Sequence, residues 1–453
     1  MLVSASNPEQ LKPLLSIVIK TSRLRVVSTV LLCVLFLFGS SQVASGYSVL
    51  THEEIVDLLW LDQIRPLLLA KYPGTTTEQL KEAHAYAYGG CLIQDMGYYP
   101  FGNRHFSDLV HYVRSGDFVV NLIDEAKDVN ELAFALGALS HYAADLSGHP
   151  AVNTAVGLEF PKLRAKYGDQ VTFAEDPKAH IRTEFGFDVA QVARQRYTSD
   201  SYHDFIGFEV AKPLLERAFL KTYGIELKDV FLSVDLSIGT FRRSVSHIIP
   251  QMTRVALITR NAQLVKENPN FTKKKFVYNL SRAEYERNWG KGYQKPGFGA
   301  RFLAVLFRLI PKVGPFKAIN FKTPSTQTEN LYLKSVNTTV DQYRIYLQQL
   351  ANRNNDVQLP NRDFDTGQET KAGEYDLTDR AYAKLVNKLA ESRFANVTPD
   401  LRKNILSFYR DSANAKLSPG TKPEDWQKTL KNVEMLRSTE VLPPQYKTAP
   451  AAQ

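Results

Sequence analysis

The sequence is poor in cysteine, with two among 453 residues. Cys33 falls in an apolar stretch near the start, inside that stretch rather than at its end, which argues against lipid attachment there. Only Cys91 remains in the body of the chain. A lone thiol closes no intramolecular disulfide, so stability must come from a core or from bound metal. Long hydrophobic runs are scarce too. The run from Val26 to Phe38 is shorter than the ~20 residues that usually span a bilayer. No convincing period-two alternation is present, which argues against strands. No internal repeat is found. The remaining composition, 44% hydrophobic and 23% charged, is that of a globular protein. Its length allows two domains and a tail. The net charge of +9 suits an acidic membrane surface or a phosphorylated substrate and identifies neither.

What is present begins at the N-terminus. Lys20, Arg23 and Arg25 precede the Val26–Phe38 run, and small residues follow from Gly39 to Gly46. This is the three-part pattern of a secretory signal. Cleavage after Gly46 would leave Tyr47 first, and cleavage after Ser45 fits about as well. The alternative is an uncleaved anchor over 26–38.

The most informative stretch runs from Asp128 to Pro150. Asp128 with Glu131 makes a capping-box start, and Leu132, Leu136, Leu139, Ala143 and Leu146 recur at helical spacing as a core face. Gly148 and Pro150 are expected to end the helix. On another face His141 and Asp145 sit one turn apart, and His149 follows. Ala, Gly, Phe and Tyr neighbours make a solvated stripe a poor explanation. Were the helix continuous, His141 and His149 would stand ~12 Å apart along its axis. One ion is hard to share over that distance unless the chain turns sharply at Gly148.

Further donors lie on either side. Thr51 and Glu54 suggest a capping box that places His52 at a helix start. A helix is expected over about 77–93. The Gly- and aromatic-rich loop 94–103 contains Asp95, Tyr98, Tyr99 and Phe101, and such loops often form site walls. Ser107 is expected to cap a short helix carrying His111. Asp176-Pro177 opens a helix on which His180 and Glu184 are one turn apart. Imidazole and carboxylate without thiolate suit zinc or another borderline divalent ion. Eight donors exceed the four of one tetrahedral ion, so a cluster is the simpler account. His84 reads equally as a residue supporting a ligand or as a satisfied core histidine, and His105, His203 and His247 read as structural.

The ordered series His52, Asp95, His111, His141-x-x-x-Asp145, His149, His180-x-x-x-Glu184 resembles the zinc-dependent phospholipase C family, which is similar to the fungal single-strand-specific nucleases. The resemblance covers roughly 47–260. It implies an all-α multi-helix bundle around a polynuclear zinc site, with three zinc ions. It implies that Asp95, His111, His141 and Asp145 hold one ion, and His149, His180 and Glu184 a second. Asp145, His52 and the backbone amine and carbonyl of Tyr47 would hold the third. The family usually has Trp where Tyr47 stands, and more often five residues than three between the bridging Asp and the next His. The implied activity is hydrolysis of a phosphodiester, with Asp95 as ligand and general base. Tyr98, Tyr99 and Phe101 are the candidate substrate wall. A choline headgroup would use such rings by cation–π contact and a nucleobase by stacking. A phospholipid headgroup, a single-stranded nucleic acid, and a zinc-binding surface protein without turnover all remain open.

The expected organisation is a signal over 1–46, the catalytic domain over 47–262 and a basic, aromatic connecting segment over 263–325. A helical C-terminal region follows over 326–437, then a tail over 438–453. Within the connecting segment, 298–310 suits either a membrane-surface helix or a helix packed on the catalytic domain. The C-terminal region carries no recognised motif.

Overall fold

The computed structural model describes residues 47–193, 207–249, 252–253, 321–352, 357–411 and 422–440. The segments 26–38 and 298–310, most of the connecting segment and most of the tail lie outside these. The described residues form 14 α-helices and no strand. Their elements of interest are α1 (Val49–Leu59), α2 (Arg65–Lys71), α3 (Thr77–Gly90), α4 (Arg104–Tyr112), α5 (Ser115–Asp124), α6 (Val129–Glu159), α7 (Pro161–Tyr167) and α8 (Pro177–Ala193). Then come α9 (Lys212–Tyr223), α10 (Val234–Arg243), α11 (Thr326–Asn352), α12 (Asp376–Glu391), α13 (Pro399–Phe408) and α14 (Pro423–Ser438). No described helix is long and apolar enough to cross a membrane.

Helix α6 is the spine. Asp128 caps it as its sequence suggests, accepting from the amides of Asn130 at 2.9 Å and Glu131 at 2.8 Å, a contact worth about 1 kcal/mol. Its end differs from expectation. The helix runs through Gly148 and Pro150 to Glu159. Pro150 has no N–H to donate one turn back to Leu146. Burial of Val152, Ala155 and Val156 carries the helix past that missing bond. Gly148 has another role: a Cβ there would lie 2.8 Å from the ring of Tyr47, so the absent side chain makes room for that ring.

Helix α3 lies against α6 through two reciprocal glycines. A Cβ on Gly90 would meet the Phe134 carbonyl at 1.9 Å, and one on Gly137 the Ala87 carbonyl at 2.1 Å. This close approach holds Cys91 and the Ile93–Tyr98 turn against α6. The expected ending near 93 falls at Gly90, and the start is capped by Thr76 with Gln79.

Two other expected caps work differently. Thr51 does not cap α1, which begins at Val49 with Ser48 in the cap position. Its hydroxyl donates to Asp188 on α8 at 2.7 Å, and the other Asp188 oxygen accepts from the Leu50 amide at 2.9 Å. The start of α1 is thus satisfied by another helix. Ser107 lies inside α4, whose cap is Asn103. Its hydroxyl accepts from the Gly97 amide at 3.0 Å and donates to the Gln94 carbonyl, pinning the Asp95 turn. Asp176 caps α8 as expected, accepting from Ala179 N at 2.9 Å.

The C-terminal helices share one apolar core with the rest. Helix α11 lies along α1 and α6: Tyr343 donates to the Leu136 carbonyl at 2.9 Å, and Ser335 accepts from Tyr47 at 2.7 Å. Between α11 and α12, residues 357–375 run across α4, α5 and α6. There the Pro360 carbonyl accepts from Tyr142 at 2.7 Å, Asn361 from the Asp117 amide at 3.0 Å, and the Arg362 carbonyl from Ser115 at 2.6 Å.

Candidate metal centre

Continuity of α6 places His141, Asp145 and His149 on one face, one turn apart each. Asp145 is the hub. His141 Nε2 lies 3.0 Å from its Oδ2, and His111 Nε2 and His149 Nε2 each lie 3.5 Å from it. His52 Nε2 lies 3.5 Å from Oδ1. Four imidazoles from α1, α4 and α6 therefore converge on one carboxylate. The sharp turn at Gly148 is not needed, because Asp145 fills the gap between the two α6 histidines.

The donors fall into three sets whose ligand atoms lie within 4.8 Å of one another: His52, His141 and Asp145; Asp95, His111 and His141; and His149, His180 and Glu184. All eight residues implied by side chain are thus brought together. The four-residue set implied for one ion is met by Asp95, His111 and His141, with Asp145 reaching two of its members. Tyr47 lies beside them, its ring 6.0 Å from that of His52.

Backbone carbonyls support three of the imidazoles at short distance. His141 Nδ1 is 2.9 Å from the Cys91 carbonyl, His111 Nδ1 is 2.8 Å from that of Ser107, and His180 Nε2 is 2.7 Å from that of Val171. Each of these nitrogens carries the ring proton, which leaves the opposite nitrogen with its lone pair toward the centre. The contacts within the centre are mostly longer. His111 Nε2 is 3.4 Å from Asp95 Oδ1, and His180 Nδ1 is 3.3 Å from Glu184 Oε1. Two ligands on one tetrahedral zinc, each bonded at ~2.0–2.1 Å, stand about 3.3–3.4 Å apart.

Hydrogen bonding satisfies the His180–Glu184 pair and leaves most of the other donor atoms unsatisfied. Asp95 Oδ1, His111 Nε2, His141 Nε2, both Asp145 oxygens and both His149 nitrogens are buried without a hydrogen-bond partner. Each such atom costs about 1–3 kcal/mol, more where charged. Donors of this chemistry, aimed at one another and unsatisfied, fit bound divalent cations.

Without cations, protons must balance the charge. Burial by itself lowers the His111 pKa, but Asp145 and Asp95 outweigh it and raise it to about 10. His149 rises to about 9, because Asp365 and Asp145 overcome its burial. Burial favours the charged form of neither Asp145 nor Glu184. His141 and His149 nonetheless hold Asp145 well below the usual carboxylate range, whereas Glu184 stays well above it. Burial and the His149 charge bring His180 down to about 4.

The other candidates scatter. Tyr98 is buried with its ring 5.9 Å from His111. Tyr99 packs on Phe241 of α10 at 5.0 Å, and Phe101 is 47% exposed on the outer side of its loop. His84 is a core histidine: its Nε2 is 2.8 Å from Asp57, and its ring stacks on Trp60 at 3.8 Å. His105 lines a cavity of about 490 Å³ with Lys384 and Trp426, and none of the eight donors lines that cavity. His203 lies outside the described residues, as does the side chain of His247.

Residues 364 and 365 were not anticipated. The Phe364 ring lies 5.2 Å from that of His111 and 6.1 Å from that of His141. Asp365 Oδ1 lies 3.4 Å from His149 Nδ1. Their sequence signal is slight: one aromatic between two aspartates in a polar loop, with no helical spacing to tie it to the donors.

A family model described as zinc dependent phospholipase C matches residues 51–233. This segment belongs to the zinc-dependent phospholipase C family. All eight side-chain donors fall within the match, whereas Phe364 and Asp365 lie beyond it. Membership supports a phosphodiesterase-like hydrolase that uses zinc. No curated protein and no solved structure matches the chain.

Proposed function

We propose that the protein is an exported phosphodiester hydrolase of the phospholipase C type, releasing a phosphorylated headgroup. The convergence of three donor sets on α6 within the family match carries this reading. Asp95, His111, His141 and Asp145 would hold one zinc, and His149, His180 and Glu184 a second. Asp145 and His52, with the amine and carbonyl of Tyr47, would hold a third, which requires cleavage after Gly46. Bound zinc lowers the pKa of a water toward ~7 and polarises a phosphoryl oxygen.

The chain supplies the rest. The carbonyls of Cys91, Ser107 and Val171 fix the ligating face of three imidazoles. Asp95 Oδ1, buried and without a partner, is the acceptor assigned to the proton of the attacking water. Phe364 and Tyr98 exclude bulk water beside His111. The 298–310 segment is assigned a peripheral contact with a lipid surface.

The enclosure of the site favours a second reading, a zinc-binding protein without turnover. All eight donors are at most 3% exposed. Phosphocholine release from phospholipid and cleavage of single-stranded DNA, each with and without chelator, separate the readings. Chelator-sensitive headgroup release supports the first, and DNA cleavage alone assigns a nuclease. Absence of both overturns the two enzyme readings, and bound zinc in the same inactive protein supports the second. Sequencing the exported protein tests the cleavage site: an N-terminus upstream of Tyr47 removes the third ion's backbone donors.

A further inference from the structure

A cavity of about 490 Å³ lies where the family match meets the C-terminal region, and none of the eight donors lines it. Asn103, His105 and the 225–230 turn contribute one side. Helices α12 and α14 contribute the other, through Lys384, Lys388, Trp426 and Thr429. Sites for small molecules span ~300–1,000 Å³, so the cavity has room for one.

His105 is the part of this wall that packing does not explain. It is 6% exposed, and neither ring nitrogen has a hydrogen-bond partner. Buried polar atoms are nearly always satisfied, and two unsatisfied atoms on one ring beside a cavity mark a place for a ligand. The nearby charges give the ligand's sign. Burial, with the charges of Lys384 and Lys388, lowers the His105 pKa to about 3, so the ring is neutral and offers one N–H. Lys388 is engaged by Glu391 at 3.1 Å. Lys384 has no ion-pair partner among the described residues, and partial desolvation lowers its pKa. Carboxylates line the cavity too. The buried one, Asp379, accepts from the Gly373 amide at 2.9 Å, and Asp229 and Asp425 are exposed. A free ammonium near an unsatisfied imidazole selects an anion.

We propose that this cavity is a second ligand site, separate from the metal centre, for a small phosphate monoester. The His105 N–H and the Lys384 ammonium would donate to its phosphoryl oxygens. Donors from α4 on one side and α12 on the other suit the three terminal oxygens of a phosphoryl group better than a flat carboxylate. Its organic part would lie against Trp426, which is 7% exposed, and the apolar Ile225 and Val230. An occupant would join α4, the helix that carries His111, to α12 and α14. A phosphorylated headgroup and free phosphate present the same oxygens.

Trp426 is one of three tryptophans, with Trp60 and Trp289. Fluorine-labelled tryptophan in the full-length, zinc-loaded protein therefore gives a resonance at the cavity, assigned with Trp426→Phe. Inorganic phosphate and phosphocholine, titrated separately, are each expected to move that resonance saturably. Tighter binding of phosphocholine identifies a headgroup as the source, and binding of phosphate at least as tight identifies free phosphate. Lys384→Ala changes an exposed residue, and binding is expected to weaken about tenfold or more. His105→Phe keeps a ring and removes both nitrogens, and the shift should be lost. Parental affinity in Lys384→Ala overturns the proposal, as does a Trp426 resonance that neither phosphate moves. Phosphate bound only at zinc gives that second result. Equal affinity for acetate overturns the choice of a phosphate, and a response to choline chloride alone overturns the choice of an anion.

Discussion

Residues 51–233 and the C-terminal region contribute to one centre in different ways. The first carries all eight donors, five of them at one-turn spacing on α6 and α8. The second carries none of the family's donors, yet Phe364 and Asp365 press against two of the donor sets. Donor spacing on a helix is a property of the local chain. Enclosure of a site is a property of whatever segment later packs over it. A family match restricted to the first region therefore captures the chemistry and misses the cover.

Substitutions on the two sides should behave differently. Asp145→Ala should have the largest effect. It removes the carboxylate facing four imidazoles, and we expect zinc content to fall by at least one ion and phosphodiesterase turnover to drop to background. Full zinc content in that variant would break the assignment of Asp145 as hub. Phe364→Ala should do the reverse, keeping the zinc while costing about 3–5 kcal/mol of stability. Denaturant unfolding and metal analysis of the same sample read both. Loss of zinc in Phe364→Ala would erase the contrast between donor and cover.

A pH series sharpens the same contrast. In metal-free protein His111 is raised to about 10 and His149 to about 9, against ~6.5 unfolded. Their stabilisation is full below ~6.5 and lost as pH rises through the folded values. The melting temperature of chelator-treated protein should therefore fall from pH 7 to 9.5. Zinc-loaded protein should stay nearly flat, because the cations replace these protons. Parallel curves would contradict this exchange. The smallest effect is expected from Tyr343→Phe, which removes the bond from α11 to the Leu136 carbonyl and should cost about 1 kcal/mol in thermal unfolding, with zinc unchanged.

Much of the donor region was legible because its signals are local. Asp128 and Asp176 cap their helices through amides two or three residues on. His141 with Asp145 and His180 with Glu184 follow from helical spacing alone. Where expectation failed, a partner distant in sequence had intervened. Thr51 bonds to Asp188 of α8 instead of capping α1. Ser107 pins the preceding loop to α4. Gly148 and Pro150, signals of a helix end, instead lie inside α6, where Gly148 accommodates the Tyr47 ring.

The sequence by itself determined the all-α class, the one-turn His–acid pairs of α6 and α8, and the helix starts made by nearby side chains. These depend on contacts a few residues apart. Only the tertiary structure decided that α6 continues past Pro150, so that His141, Asp145 and His149 share one face. It also decided that α3 approaches α6 through Gly90 and Gly137, and that Phe364 and Asp365 reach the centre. The reason is physical. Burial of Val152, Ala155 and Val156 outweighs one missing backbone bond, and a loop's position is set by the surfaces it covers rather than by a period of its own.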